Sequence, residues 1–185
     1  WITGAWSSDD SPTGTPDQYF LTNIRTDYTT ATEGTFDANE LEIRSGRDLI
    51  ISSGENITIQ NSITNAGNII LEDNASLVQI LKDGPNTGTS YTVNRQSTSQ
   101  EEEGNFTYWS SPLASSTLAE VTNAQLYYSF TAASQTWITA SSATSMTAGV
   151  GYINTGDDGI TYPNTYTAVF TGSAFNNGDI SITLG

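Results

Sequence analysis

Six consecutive residues, Asn154-Thr155-Gly156-Asp157-Asp158-Gly159, carry three side-chain oxygen donors in Asn154, Asp157 and Asp158. Calcium is a hard cation that takes such oxygens, and a loop of this composition could hold one with help from Asp9, Asp10 or Asp17. A plain turn accounts for the same residues. Asn and Asp bond their own backbone there, and Gly supplies φ > 0. The turn is the simpler reading. Calcium is the one candidate ion, and no other cofactor is indicated. The run Glu101-Glu102-Glu103 lacks the alternating spacing of a calcium loop and reads as solvated.

Aromatic residues offer a second chemistry. Trp109, in Tyr108-Trp109-Ser110-Ser111-Pro112, could stack on a sugar ring while the serine hydroxyls bond it. The same residues serve equally as a core anchor followed by a Ser-Ser-Pro turn, which is the favoured reading. Trp1, Trp6, Trp137 and Tyr128 are the other candidates for touching a glycan or a partner. Trp1 and Trp6 read first as a cap, because an open solenoid end must be sealed.

Catalytic groups are harder to find. The 185 residues include no His and no Cys, so a Ser-His-Asp triad, a thiol nucleophile and a His- or Cys-ligated zinc are excluded. Lys82 is the sole lysine. Carboxylate pairs cleave polysaccharides across a groove. Here Glu72-Asp73, Asp37/Glu40 and Asp48 fall at corners, and no spacing puts two of them across a cleft. A polysaccharide-active enzyme is therefore the least favoured reading, and no catalytic residue is assigned.

The elements that must position these groups are strands. Residues 41–84 read LEIRSGRD, LIISSGEN, ITIQNSITNAGN, IILEDNAS and LVQILKDG. Apolar pairs open each segment, and Gly, Asn, Asp or Ser closes it. The starts fall at 41, 49, 57, 69 and 77, giving steps of 8, 8, 12 and 8. Period-two strands separated by polar corners, without helix signals, predict a solenoid. Three segments of eight predict a triangular coil of 24 residues, hence about two coils, with an excursion within residues 61–68. That register stacks Leu41 and Ile43 under Ile69 and Leu71, and Leu49 and Ile51 under residues 77–80. Tyr91 and Val93 then close the third face over Ile57 and Ile59. Phe36 points inward from a partial first coil.

From Asn105 the pattern becomes a meander. Strands are expected at 106–109, 126–130, 136–139, 150–153, 166–170 and 179–184, with a short helical turn within 118–124. The fold class is thus all-β, a short right-handed parallel β-helix followed by an antiparallel β-sandwich. The domains are residues 1–95, a β-solenoid with an N-terminal cap, and residues 96–185, the sandwich module.

Charge narrows the partners. Five Lys and Arg face 20 Asp and Glu, a net charge of −15, and all five basic residues lie in the first 95 positions. An acidic surface argues against nucleic acid and anionic membranes. No apolar run reaches spanning length, so no membrane insertion is expected. Thr, Ser, Asn and Gly richness suits a secreted bacterial β-protein. A start at Trp1, with Met146 the single Met, predicts a processed product.

Several motifs occur in a defined order. Trp1 and Trp6 precede the ladder. Asn65-x-Gly67, Ser76-Leu77-Val78-Gln79 and Arg95 follow. Tyr108-Trp109-Ser110-Ser111-Pro112, Met146-x-x-Gly149-x-Gly151-Tyr152 and Phe170-Thr171-Gly172 with Asn176-Asn177-Gly178 complete the set. This order resembles a module of large surface proteins of Bacteroidetes-group bacteria exported by the type IX secretion system. The resemblance implies an extracellular, cell-surface location and supplies no catalytic residues. The expected function is a non-catalytic structural or adhesive module of a surface protein or filament. Its expected partners are other copies of itself, or neighbouring domains of the same surface protein. Self-association would use the solenoid end and the last strand. The alternative is a carbohydrate-binding module that uses exposed aromatics.

Overall fold

A hydrophobic residue at every second position of a short strand can face only one side. In this chain the strands wrap so that this side is the inside of a coil. The computed structural model describes residues 18–19, 21–88, 90–175 and 179–182. The chain divides into two compact units between Val93 and Asn94.

The first unit is a β-solenoid of about four turns with three faces. One face stacks β1 (Leu21–Ile24), β4 (Glu40–Ile43), β7 (Ile63–Asn65) and β10 (Thr87–Gly88) in parallel. The second stacks β2 (Tyr28–Thr29), β5 (Asp48–Ile51), β8 (Asn68–Leu71) and the start of β11 (Tyr91–Gln96). The third stacks β3 (Asp37–Ala38), β6 (Asn56–Ile59) and β9 (Ser76–Gln79). A four-residue helix, α1 (Thr30–Glu33), interrupts the first turn.

The three-faced coil is as expected, but its length and register are not. Leu49 lies beside Ile69, Ile57 beside Leu77 and Leu41 beside Ile63. A coil is therefore about 20 residues, and Leu41 does not stack under Ile69. Likewise Leu49 and Ile51 stack under Ile69 and Leu71, and Tyr91 and Val93 continue that same face. The excursion expected within 61–68 is itself strand β7. Pattern reading misses this strand because its second inward position is polar. Asn65 is 2% exposed and occupies an apolar slot. Its Nδ2 donates to the Ser90 carbonyl at 2.8 Å, and its Oδ1 accepts from Gly67 N–H at 3.1 Å. Both polar ends of the side chain are satisfied, so the residue is tolerated inside.

Leu41, Ile43, Leu49, Ile51, Ile57, Ile59, Ile63 and Ile69 form the inner column and are essentially inaccessible to water. Each such side chain stabilises the fold by about 1.5–3 kcal/mol relative to exposure. Phe36 is buried as expected and meets Tyr28 edge to face at 5.6 Å. Outside, successive coils are joined by amides that donate to carboxylates. Asn23 Nδ2 bonds Glu42 at 2.7 Å, and Asn68 Nδ2 bonds Asp48 at 2.7 Å, each between register partners. These contacts join the acidic coils alongside the Arg47–Asp27 ion pair at 3.7 Å and the bond from Arg44 Nε to Asn23 Oδ1 at 3.3 Å.

The buried tyrosines make alkaline stability testable. Burial pushes the phenols of Tyr28 and Tyr91 above the ordinary value, and for Tyr28 the nearby Glu33 and Glu55 push further. In the unfolded chain these phenols ionise near pH 10. The folded form thus holds its protons where the unfolded form loses them. The stability that these groups contribute is complete below about pH 10 and falls as pH rises beyond it. Urea titrations at pH 9 and pH 11 should show a lower midpoint at pH 11. Ionisation of Tyr28 and Tyr91 at the ordinary tyrosine pKa, without unfolding, contradicts this.

In the second unit β12 (Phe106–Trp109), β15 (Tyr152–Thr155), β13 (Tyr127–Thr131) and β14 (Thr136–Ala140) form an antiparallel sheet in that order. β13 and β14 are the expected hairpin. A one-turn 3-10 helix, η1 (Leu118–Glu120), is closed by a capping box between Thr117 and Glu120. Strand β16 (Thr167–Gly172) buries Ala168 and Phe170. Of the last expected strand, residues 179–182 are not in a strand, and 183–185 lie outside the described residues. Ile180 and Ile182 instead pack over Gly149, whose φ is +77°.

Candidate functional site

The four-stranded sheet has two faces, and the register sorts every side chain between them. Thr107, Asn154 and Tyr127 share one face, as do Trp109, Tyr152 and Ser129. This face is the inner one, since Thr107, Tyr127, Tyr152 and Asn154 are all buried. Trp109 is half-buried here, with its ring 5.9 Å from Tyr166 and 6.2 Å from Phe170. Its Nε1 donates to the Tyr166 hydroxyl at 3.2 Å, and Asn154 Nδ2 donates to the same hydroxyl at 3.0 Å. Trp109 is therefore an anchor. The following turn is held by Ser111, whose buried hydroxyl donates to the Leu113 carbonyl at 2.6 Å.

The outer face carries Phe106 and Tyr108 from β12, Ile153 from β15, Tyr128 and Phe130 from β13, and Trp137 from β14. Tyr108 is 73% exposed, and Phe106, Phe130 and Trp137 are each close to 40%. The rings touch one another. Phe106 meets Tyr128 at 5.9 Å, Phe130 meets Trp137 at 5.1 Å, and Tyr108 meets Trp137 at 6.2 Å. Ile153 is paired with Tyr108 on one side and Tyr128 on the other, and is 8% exposed. The rings thus form a continuous, uncharged surface. A cluster of large exposed apolar side chains on one sheet face marks an interaction surface.

Gly151 matters to this surface. Two positions before Ile153 on the same chain, it accepts a hydrogen bond from Phe130 N–H at 3.0 Å. A methyl group added there would meet nothing within 4 Å. The face is consequently open at Gly151, beside Phe130.

Beyond Phe106 and Thr155 the sheet ends at a pocket of about 310 Å³. Glu103, Gln125, Asp157, Asp158 and Tyr162 are among its walls. The Asp157 carboxylate accepts from the Thr122 hydroxyl and from Asn123 N–H at 2.7 Å, and Asp158 accepts from Gln125 Nε2. Asp157 therefore braces one loop against another. Asn154, the third residue of the calcium reading, points to the inner face and is wholly buried. The structure thus does not bring Asn154 together with Asp157 and Asp158. Among the described residues no three Asp or Glu side chains gather to hold a metal ion.

Of the aromatic candidates, Trp137 and Tyr128 belong to the outer face and Trp109 does not. Trp1 and Trp6 lie outside the described residues. Phe106, Tyr108 and Phe130 join the surface without having been candidates. Their signal is the alternation Phe106-x-Tyr108 and Tyr128-x-Phe130, but the alternation alone does not say which side meets water. Among the described residues no helix is long and apolar enough to cross a membrane.

Fold and site together define an all-β protein in which a parallel solenoid precedes an antiparallel sheet with an aromatic outer face. The chain belongs to the family described as a domain of unknown function, DUF8693, which matches residues 2–185. No curated protein and no solved structure matches it.

Proposed function

We propose that this chain is a non-catalytic, extracellular adhesive module of a bacterial surface protein. In this reading the solenoid is right-handed and acts as a rigid support. The aromatic sheet is one layer of a sandwich and provides the contact surface. The sandwich is supported by Tyr166 and Phe170, which pack on Trp109 from the inner side. The reading rests chiefly on the outer face, where rings that could have been core stand in solvent and contact each other. Such exposure costs solubility and is retained where a partner uses it. The resemblance of its motif order to that of type IX-exported surface modules supports the extracellular location.

The test is labelling of intact source cells with antibody raised against residues 94–185. Bound label on unpermeabilised cells is expected. Label that appears only after permeabilisation contradicts a surface role.

A further inference from the structure

We infer that the outer sheet face binds a neutral polysaccharide, with one sugar residue seated over Gly151 among Tyr108, Phe130 and Trp137. The inference deepens the adhesive reading by naming its ligand class, and it rests on that reading.

Three features point to this ligand. The first is shape. The three rings are tilted against each other, with interplanar angles of 57° for Phe130 and Trp137 and 61° for Tyr108 and Trp137. The rings still present area to solvent, Tyr108 being 73% and Trp137 39% exposed, and the missing side chain at Gly151 leaves open space beside Phe130. The C–H face of a sugar ring is apolar and flat enough to lie on an aromatic face, burying area that a charged ligand could not.

The second feature is the polar rim. Tyr108 and Tyr128 bring phenolic hydroxyls to the face, and Thr139 lies opposite Tyr128. At the end of the sheet, Glu103, Gln125 and Asp158 line a pocket of about 310 Å³. That volume lies within the range of small-ligand sites. Carboxylate and amide oxygens are acceptors, and sugar hydroxyls are donors. A chain lying along the rings would meet these acceptors at its end.

The third feature is charge, which decides between occupants. Residues 94–185 contain seven carboxylates and one arginine, Arg95. Like charge of this density repels an anionic polymer, and equally repels a second copy of the same unit. The ring surface itself has no charged side chain. An uncharged polymer rich in hydroxyls incurs neither penalty.

Affinity electrophoresis of the whole chain tests this. The gels contain a mixed-linkage β-glucan, a xylan, a galactomannan or soluble starch, with alginate as the anionic control. Retardation by at least one neutral polymer and none by alginate is expected. Trp137→Ala should weaken that association ten-fold or more. Gly151→Val should do the same while every ring stays in place, because its Cβ meets no atom within 4 Å and its methyls occupy the open space over Gly151. Both variants should remain folded at the assay temperature, with a single cooperative thermal transition above it. No retardation in any neutral gel, or equal retardation of wild type and both variants, overturns the inference. Light scattering that shows a dimer abolished by Trp137→Ala would also overturn it, in favour of a second copy as occupant. Release of reducing ends from a retained polymer would confirm the ligand class and overturn only the non-catalytic reading.

Discussion

Ile69→Ala should lower the unfolding free energy by about 3–4 kcal/mol, as read from the midpoint of a urea titration. Ile69 lies in the middle of the second solenoid face, between Leu49 on one side and Tyr91 on the other. All three side chains are buried, with Ile69 at 0% exposure. Backbone ladders on both sides hold β8 at fixed spacing, so the neighbours cannot close over a missing side chain. The cost is then the lost transfer energy plus most of the cavity term. Ile70, the next residue, points outward and is half-buried. Ile70→Ala should cost well under half as much. Equal effects at the two positions would contradict a register in which Ile69 faces the core and Ile70 faces outward.

Gly67→Ala should cost about 3 kcal/mol, which is large for one methyl group. The corner between β7 and β8 passes directly over the corner below it. A Cβ at Gly67 would collide with the carbonyl oxygens of Arg47 and Arg44 and with the Ile43 side chain. Those carbonyls cannot retreat, because Arg47 O accepts from Asn68 N–H at 2.9 Å and Arg44 O accepts from Arg47 N–H at 3.1 Å. Gly46 provides the contrast. It has φ +71° with open space around it, so Gly46→Ala meets only the left-handed backbone penalty of about 1–2 kcal/mol. Thermal unfolding of the two variants should therefore rank Gly67→Ala below Gly46→Ala. The reverse order would mean that close approach of successive corners does not limit coil spacing.

The solenoid was legible because Leu, Ile and Val repeat at period two and polar corners recur. Its register was not, since strand β7 hides an inward Asn65 behind side-chain hydrogen bonds that pattern reading cannot see. One misassigned strand lengthened the coil from about 20 to 24 residues and halved the number of turns. The sheet of the second unit was legible as strands, and its hairpin was placed correctly. Its faces were not. Aromatics stand at adjacent positions there, as in Tyr108-Trp109 and Tyr127-Tyr128, so hydrophobicity does not distinguish inside from outside. Only the packing of Trp109 on Tyr166 and Phe170 does. For the same reason the calcium trio looked plausible in sequence. Asn154 and Asp157 are three residues apart, yet one lies in a buried strand and the other begins a loop.

The outer face is the centre of the account, and indole resonances report on it directly. In a chain labelled with 15N-tryptophan, Trp137 and Trp109 should give separate side-chain N–H signals, assigned with Trp137→Phe and Trp109→Phe. Titration with the neutral polysaccharide that retards the chain should shift the Trp137 signal and leave Trp109 in place. A shift at Trp109 with Trp137 unmoved would place the contact elsewhere and contradict the account.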